Sequence, residues 1–306
     1  MNKREENEIN SVLKRIYCGI LFNNQEFAND YEDAFVYEFD CPEYKELIAG
    51  YALDEVVTGT TDLERALHLL HYLSAGLAHC GYYDNHVECN SLALMDYSFN
   101  HPERGINCLN KSKILEEACL AFGIYARRVS MMPYSPYDMD NHVVTEVFSK
   151  ELKKWVMLDP TTDGFCIDSK QTPLSCMEIR ESLANNAEIA FVHSLENLKW
   201  KKAVKDSLEI VSYYAKNVFY FIVDKYSAFG ERNDYVFFIP KGYDINAVNL
   251  QNLTYRMQAM QEISEKELSQ AKKEKFLAQF EEKKQKLLQN PSQYKGCTIE
   301  VMKRGI

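Results

Sequence analysis

Three residues of this 306-residue chain have types and settings suited to nucleophilic chemistry: Cys108, His142 and Asp159, in that order. Cys108 follows Gly105 and Asn107, a loop former and a helix N-cap type. After it, Ile114, Leu115, Ala118, Cys119 and Phe122 recur at helical spacing, and Gly123 ends the run, since glycine takes the left-handed conformation cheaply. The pattern predicts a helix with Cys108 at or near its first turn. Free N–H groups and the positive end of the dipole favour an anion there, so a thiolate is stabilised.

His142 opens His-Val-Val-Thr-Glu-Val-Phe, a β-branched and partly alternating run. Asp159-Pro160 ends a second apolar run, Trp155 to Leu158, and the charged linker 149–154 suits a hairpin turn. Adjacent antiparallel strands would set Asp159 beside His142. A helix N-terminus packed on that sheet would then bring the thiol to the imidazole. In such a set the His takes the thiol proton, and the Asp fixes its tautomer and supports its charge.

The blocks Gly-x-x-Cys, Phe-Gly-Ile-x-Ala-Arg-x-Val, Asp-x-His-Val-Val and Trp-Val-x-Leu-Asp-Pro-Thr, within about residues 62–165, resemble the transglutaminase-like core, a branch of the papain-like thiol enzymes. The resemblance implies an α+β fold with the nucleophile at a helix N-terminus packed on an antiparallel sheet. It makes Cys108 the nucleophile, His142 the general base and acid, and Asp159 the orienting carboxylate. The implied activity is acyl transfer on a peptide or protein amide through a thioester, with no metal or cofactor. Hydrolysis is expected over cross-linking, because no feature marks a tunnel that would exclude water in favour of an amine.

The oxyanion calls for a donor. The backbone N–H of Cys108 is the stronger physical candidate, with Asn107 and Asn90 as side-chain candidates, and Asn107 also serves simply as a cap. The loop 131–140 carries Met132, Tyr134 and Tyr137, adaptable residues suited to contacting a substrate. A competing site lies in the loop 79–90, where His79, Cys80, His86 and Cys89 have zinc-ligand chemistry but lack the usual paired spacing, so no metal is expected. A further alternative is the same fold binding a peptide without turning it over.

Around these groups the chain divides into an N-terminal helical accessory segment (1–60), the catalytic core (61–175), a sheet extension (176–245) and a charged helical tail (246–306). Periodicity predicts helices over residues 6–22, 62–78, 91–99 and 176–183, and a helical turn or two over 44–53. Strands are expected over 35–39, 217–224, 235–239 and 297–301. A long charged helix over about 249–289 is a candidate arm for a homo-oligomer.

Composition narrows the partners. A net charge of −10 without a basic stripe argues against nucleic acid and against an anionic membrane surface. No apolar run approaches the roughly 18 residues needed to span a bilayer. The start is charged with both signs, unlike a secretory leader, and nine cysteines show no disulfide-scaffold spacing, so a reducing cytoplasm is the expected home.

Overall fold

The computed structural model describes residues 2–138, 140–194, 207–264, 268–290 and 294–306. The first elements are α1 (Lys3–Phe22), β1 (Val36–Tyr37), α2 (Pro42–Gly50), α3 (Leu53–Val56), α4 (Asp62–Gly76), α5 (Ser91–Asn100) and α6 (Cys108–Ala121). Then come β2 (Ala126–Met132), β3 (His142–Ser149), β4 (Lys154–Leu158), β5 (Gly164–Asp168), α7 (Cys176–Ala184) and β6 (Ile189–His193). The last are α8 (Ser207–Asn217), β7 (Tyr220–Asp224), β8 (Tyr226–Ser227), β9 (Tyr235–Phe238), α9 (Ile245–Glu262), α10 (Gln270–Gln289) and α11 (Ile299–Lys303).

The fold is mixed α/β around one antiparallel sheet of order β4-β3-β2-β7-β9. Strand periodicity sends its side chains into two cores. Val129, Met131, Val144 and Met157 meet α1, α7 and α8 on one face. Ala126, Val147, Val156 and Leu158 meet α4 and α6 on the other. Smaller pairs, β5 with β6 and β1 with β8, lie outside this sheet. Among the described residues no helix is long and apolar enough to cross a membrane.

Capping explains where the key helices begin. Thr61 and Glu64 form a reciprocal capping box at α4, as Asn2 and Glu5 do at α1. At α6 the Asn107 side chain accepts from the Asn110 N–H at 3.1 Å, and Gly123 follows at a φ of +72°. α6 is unusual in its setting: every residue from Asn110 to Leu120 is buried, charged ones included. The helices α2, α4 and α5 and the strands β2 and β3 surround it.

Several expectations need correction. The strand expected from Asn217 begins at Tyr220, because Asn217 still closes α8. The long charged helix is two helices, α9 and α10, since the chain turns extended at Ile263 after α9. Cys297 makes one bridge to Tyr31, and the residues after it coil into α11 instead of forming a strand. Val204 to Tyr226 reads as a stretch rich in Val, Tyr and Phe, and its residues 204–206 lie outside the described residues.

Candidate active site

The entry to α6 is fixed by backbone contacts. Ile106 N–H donates to the Ala78 carbonyl at 3.0 Å, and Cys80 N–H donates to the Ile106 carbonyl at 2.9 Å. A Cβ on Gly105 would lie 2.7 Å from the His79 carbonyl carbon, and its φ is +23°, so only glycine suits this approach. Cys108 is thereby held as the first residue of α6, half-buried. One turn on, Ser112 locks the helix to β3: its hydroxyl donates to the Val143 carbonyl at 2.8 Å, and its carbonyl accepts from Thr145 at 2.9 Å.

His142 is the first residue of β3 and only 4% exposed. The register pairs Thr145 with Leu158, so one step further sets Asp159 opposite Val144, on the face His142 shares. His142 Nε2 lies 2.8 Å from Asp159 Oδ2. Nδ1 is the ring nitrogen not engaged by Asp159, and Cys108 is close enough to help hold the imidazole protonated. The face carrying His142 and Asp159 is the one covered by α8, whereas α6 packs on the opposite face. The three groups meet because Cys108 and His142 are each the first residue of their element.

Asp159 is fully buried and heavily bonded. Besides His142, Tyr214 donates to it at 2.6 Å, the Thr162 hydroxyl at 2.8 Å and the Thr161 N–H at 2.8 Å. Burial pushes its carboxyl up, but the charge and bond of His142, then Tyr214 and Thr162, hold it well below the usual carboxylate range. Burial likewise works against a protonated His142, yet the charge and bond of Asp159, and then Cys108, raise it well above 6.5. An imidazolium–carboxylate pair is the state these shifts favour. Tyr214 stacks on the ring at 6.0 Å, and Tyr213 meets it edge-on at 5.3 Å.

The oxyanion candidates separate. Asn90 caps α5 with its side-chain carbonyl, which accepts from Ala93 N–H at 2.8 Å. Asn107 caps α6, and its amide donates to Asn85 Oδ1 at 3.0 Å. The N–H groups of Cys108 and Leu109 meet no acceptor among the described residues, as first-turn donors of a helix do. They are the donors available to an oxyanion.

Of the loop residues, Met132 is paired into the sheet with Tyr220 and half-buried. Tyr134 packs edge-on to Phe219 at 4.9 Å, and Tyr137 stays 63% exposed beside Tyr255. The candidate zinc residues go to separate partners. Cys89 sits 3.3 Å from Asn110 Oδ1 and 3.6 Å from an Arg128 nitrogen, its thiol pushed up to about 12 mainly by burial. His86 bonds Asp84. Among the described residues no group of three or more His, Cys, Asp or Glu side chains is arranged to hold a metal ion.

From the sequence, Tyr213 and Tyr214 could reach the cleft, though packing is the commoner role of a tyrosine; the bond of Tyr214 to Asp159, and Thr162 and Ser112 as supports of the set, were missed. Only the Asp159–Thr161 bond carried a local cue, since an Asp commonly bonds the backbone two residues on. A cavity of about 750 Å³ opens elsewhere, between the end of α1, α7 and the start of α9, and none of the three groups lines it. No family model, curated protein or solved structure matches this chain.

Proposed function

We propose that this chain is a cysteine-dependent acyl-transfer enzyme of the transglutaminase-like kind that hydrolyses an amide. The observation that carries the reading is the buried His142–Asp159 pair at 2.8 Å, set against a half-buried cysteine on the first turn of a helix. In this scheme the Cys108 thiolate attacks the amide carbonyl carbon. The oxyanion is held by the N–H groups of Cys108 and Leu109. The imidazolium gives its Nδ1 proton to the departing amine, the C–N bond breaks, and a thioester remains.

Water then enters; His142 takes one of its protons while the oxygen attacks the thioester. Loss of the thiolate yields a carboxylic acid and returns the ion pair. Asp159 stays ionised throughout and keeps the ring oriented. Cys108 is only half-buried, so water is the acceptor we assign in place of a second amine.

The test is selective alkylation. Iodoacetamide at about pH 6 should label Cys108 much faster than Cys41 and Cys80, which are comparably exposed, and His142→Ala should abolish the advantage. Peptide mapping across pH reads the outcome. Labelling of Cys108 at the rate of Cys41 would reject the enzyme and leave a peptide-binding module as the reading.

A further inference from the structure

Two loops flank Cys108. On one side, Asn85 of loop 79–90 accepts from Asn107 at 3.0 Å and from Asn110 at 2.8 Å, residues on either side of the cysteine. On the other, residues 133–138 and 140–141 precede His142. Asp138 and Asp140 both lie 3.2 Å from Lys216 Nζ, which in turn sits 5.1 Å from the ring centre of Tyr213, the ring edge-on to His142.

The α9–α10 hairpin grips both loops. From α9, the Asn252 amide donates to the carbonyls of Pro136 and Asp138, each at 2.8 Å, and Arg256 braces that amide at 2.7 Å. Tyr255 meets Tyr137 edge-on at 5.5 Å. From α10, Lys275 pairs with Asp84 at 3.1 Å, next to Asn85. The two helices pack along each other. The elements that carry Cys108 and His142, α6 and β3, are locked to each other through Ser112. The hairpin thus joins the loop bonded around Cys108 to the segment that leads into His142.

We propose that the α9–α10 hairpin, through Lys275 and Asn252, ties the walls of the Cys108 cleft together and selects acyl groups carried on a narrow extended chain. A peptide end or an unfolded segment fits such a cleft, whereas the surface of a folded protein does not. This specificity rests on the acyl-transfer reading; the tie itself does not.

Two thiol reagents on the full-length protein separate them. Iodoacetamide reports the reactivity of Cys108, and a maleimide carrying a long polyethylene glycol chain reports access. Lys275→Glu and Asn252→Ala should each raise labelling by the bulky reagent about fivefold, near the ceiling for an exposed ion pair, with the iodoacetamide rate unchanged. The double variant Asp84→Lys with Lys275→Glu restores the attraction and should return the bulky rate toward that of the wild type. Unchanged bulky labelling in both single variants, or an equal rise for both reagents, overturns the tie. Cys108 labelling by iodoacetamide that ignores His142 rejects the acyl-transfer reading and the substrate class with it, while the ratio of the two rates still judges the tie.

Discussion

Along α6, the middle turns and the first turn both carry ionisable groups removed from water, and the two differ in how they spend their bonds. In the middle, Lys113 lies 2.8 Å from Glu116, 3.4 Å from Glu117 and 2.8 Å from the Ala228 carbonyl. Glu117 also accepts from Ser91 N–H and hydroxyl and from Gly230 N–H, at 2.8, 2.6 and 2.9 Å. Arg128 completes the set with Asp224 and Glu231. Each charge there faces an opposite one. At the first turn Asp159 and His142 are just as enclosed, but Cys108 reaches solvent and two helix N–H groups are unspent. A saturated set fixes structure; one with capacity left at a single exposed point can act on a ligand.

The largest effect should come from breaking the saturated set. Lys113→Met leaves two buried glutamates without their cation, and loss of one partner in such a cluster costs about 3–5 kcal/mol. Urea unfolding should show that loss, while Cys108 in the folded protein keeps its labelling rate at pH 6. A fall in labelling to match the stability would erase the distinction between the two sets.

Tyr214→Phe probes the other set with a smaller effect. It removes a 2.6 Å bond to a charged carboxylate, worth about 1.5–3 kcal/mol. Labelling of Cys108 at pH 6 should slow about tenfold, because Asp159 loses one of the bonds that hold it in place against His142. The urea midpoint should move less than in Lys113→Met. An unchanged labelling rate would reduce Tyr214 to packing.

The smallest effect is in pH. His142 is raised, so its contribution to stability is full below its ordinary value of 6.5 and is lost as pH climbs through the folded value. Asp159 is lowered, so its contribution is full above 3.8 and is lost as pH falls through the folded value. The stability gap between wild type and Asp159→Asn should thus be widest between pH 3.8 and 6.5 and narrow on both sides. A gap that keeps widening above pH 7 would contradict the direction of the His142 shift.

The first-turn set was far more legible in the sequence than the saturated one. Cys108, His142 and Asp159 stand at boundaries with local markers: a cap, the start of a β-branched run, and a proline. The limits of α4, α5, α6 and α7 followed from caps and periodicity to within a few residues. By contrast, Lys111, Lys113, Glu116 and Glu117 look like the solvated face of an amphipathic helix, and nothing local says that other elements close over them. Lys113, Glu116 and Glu117 are matched by Arg128, Asp224 and Glu231, and Lys111 by the Leu77 carbonyl at 2.7 Å, partners separated from them in sequence and near in space. Tyr214 was one tyrosine among 20, with its partner Asp159 55 residues away. The pair β5 and β6 escaped notice because each strand has only five residues and their pairing is non-local. At the other end, the β-branched residues after Cys297 suggested a strand, and α11 formed there instead, with Val301 and Met302 packed into the core.

The enclosure of α6 has a consequence in time. Amide protons on an exposed helix exchange with solvent through small local openings, but a helix covered on all sides by α2, α4, α5 and the sheet can release its protons only when those elements separate. The middle of α6 should therefore exchange on the clock of global unfolding, while α10, mostly exposed along its length, and α9, largely half-buried, exchange earlier. Catalytic groups are more often mounted on the less protected parts of a fold. Here Cys108 stands at the tip of the part that gives way last, and gradual warming would free the hairpin before it disturbed that cysteine.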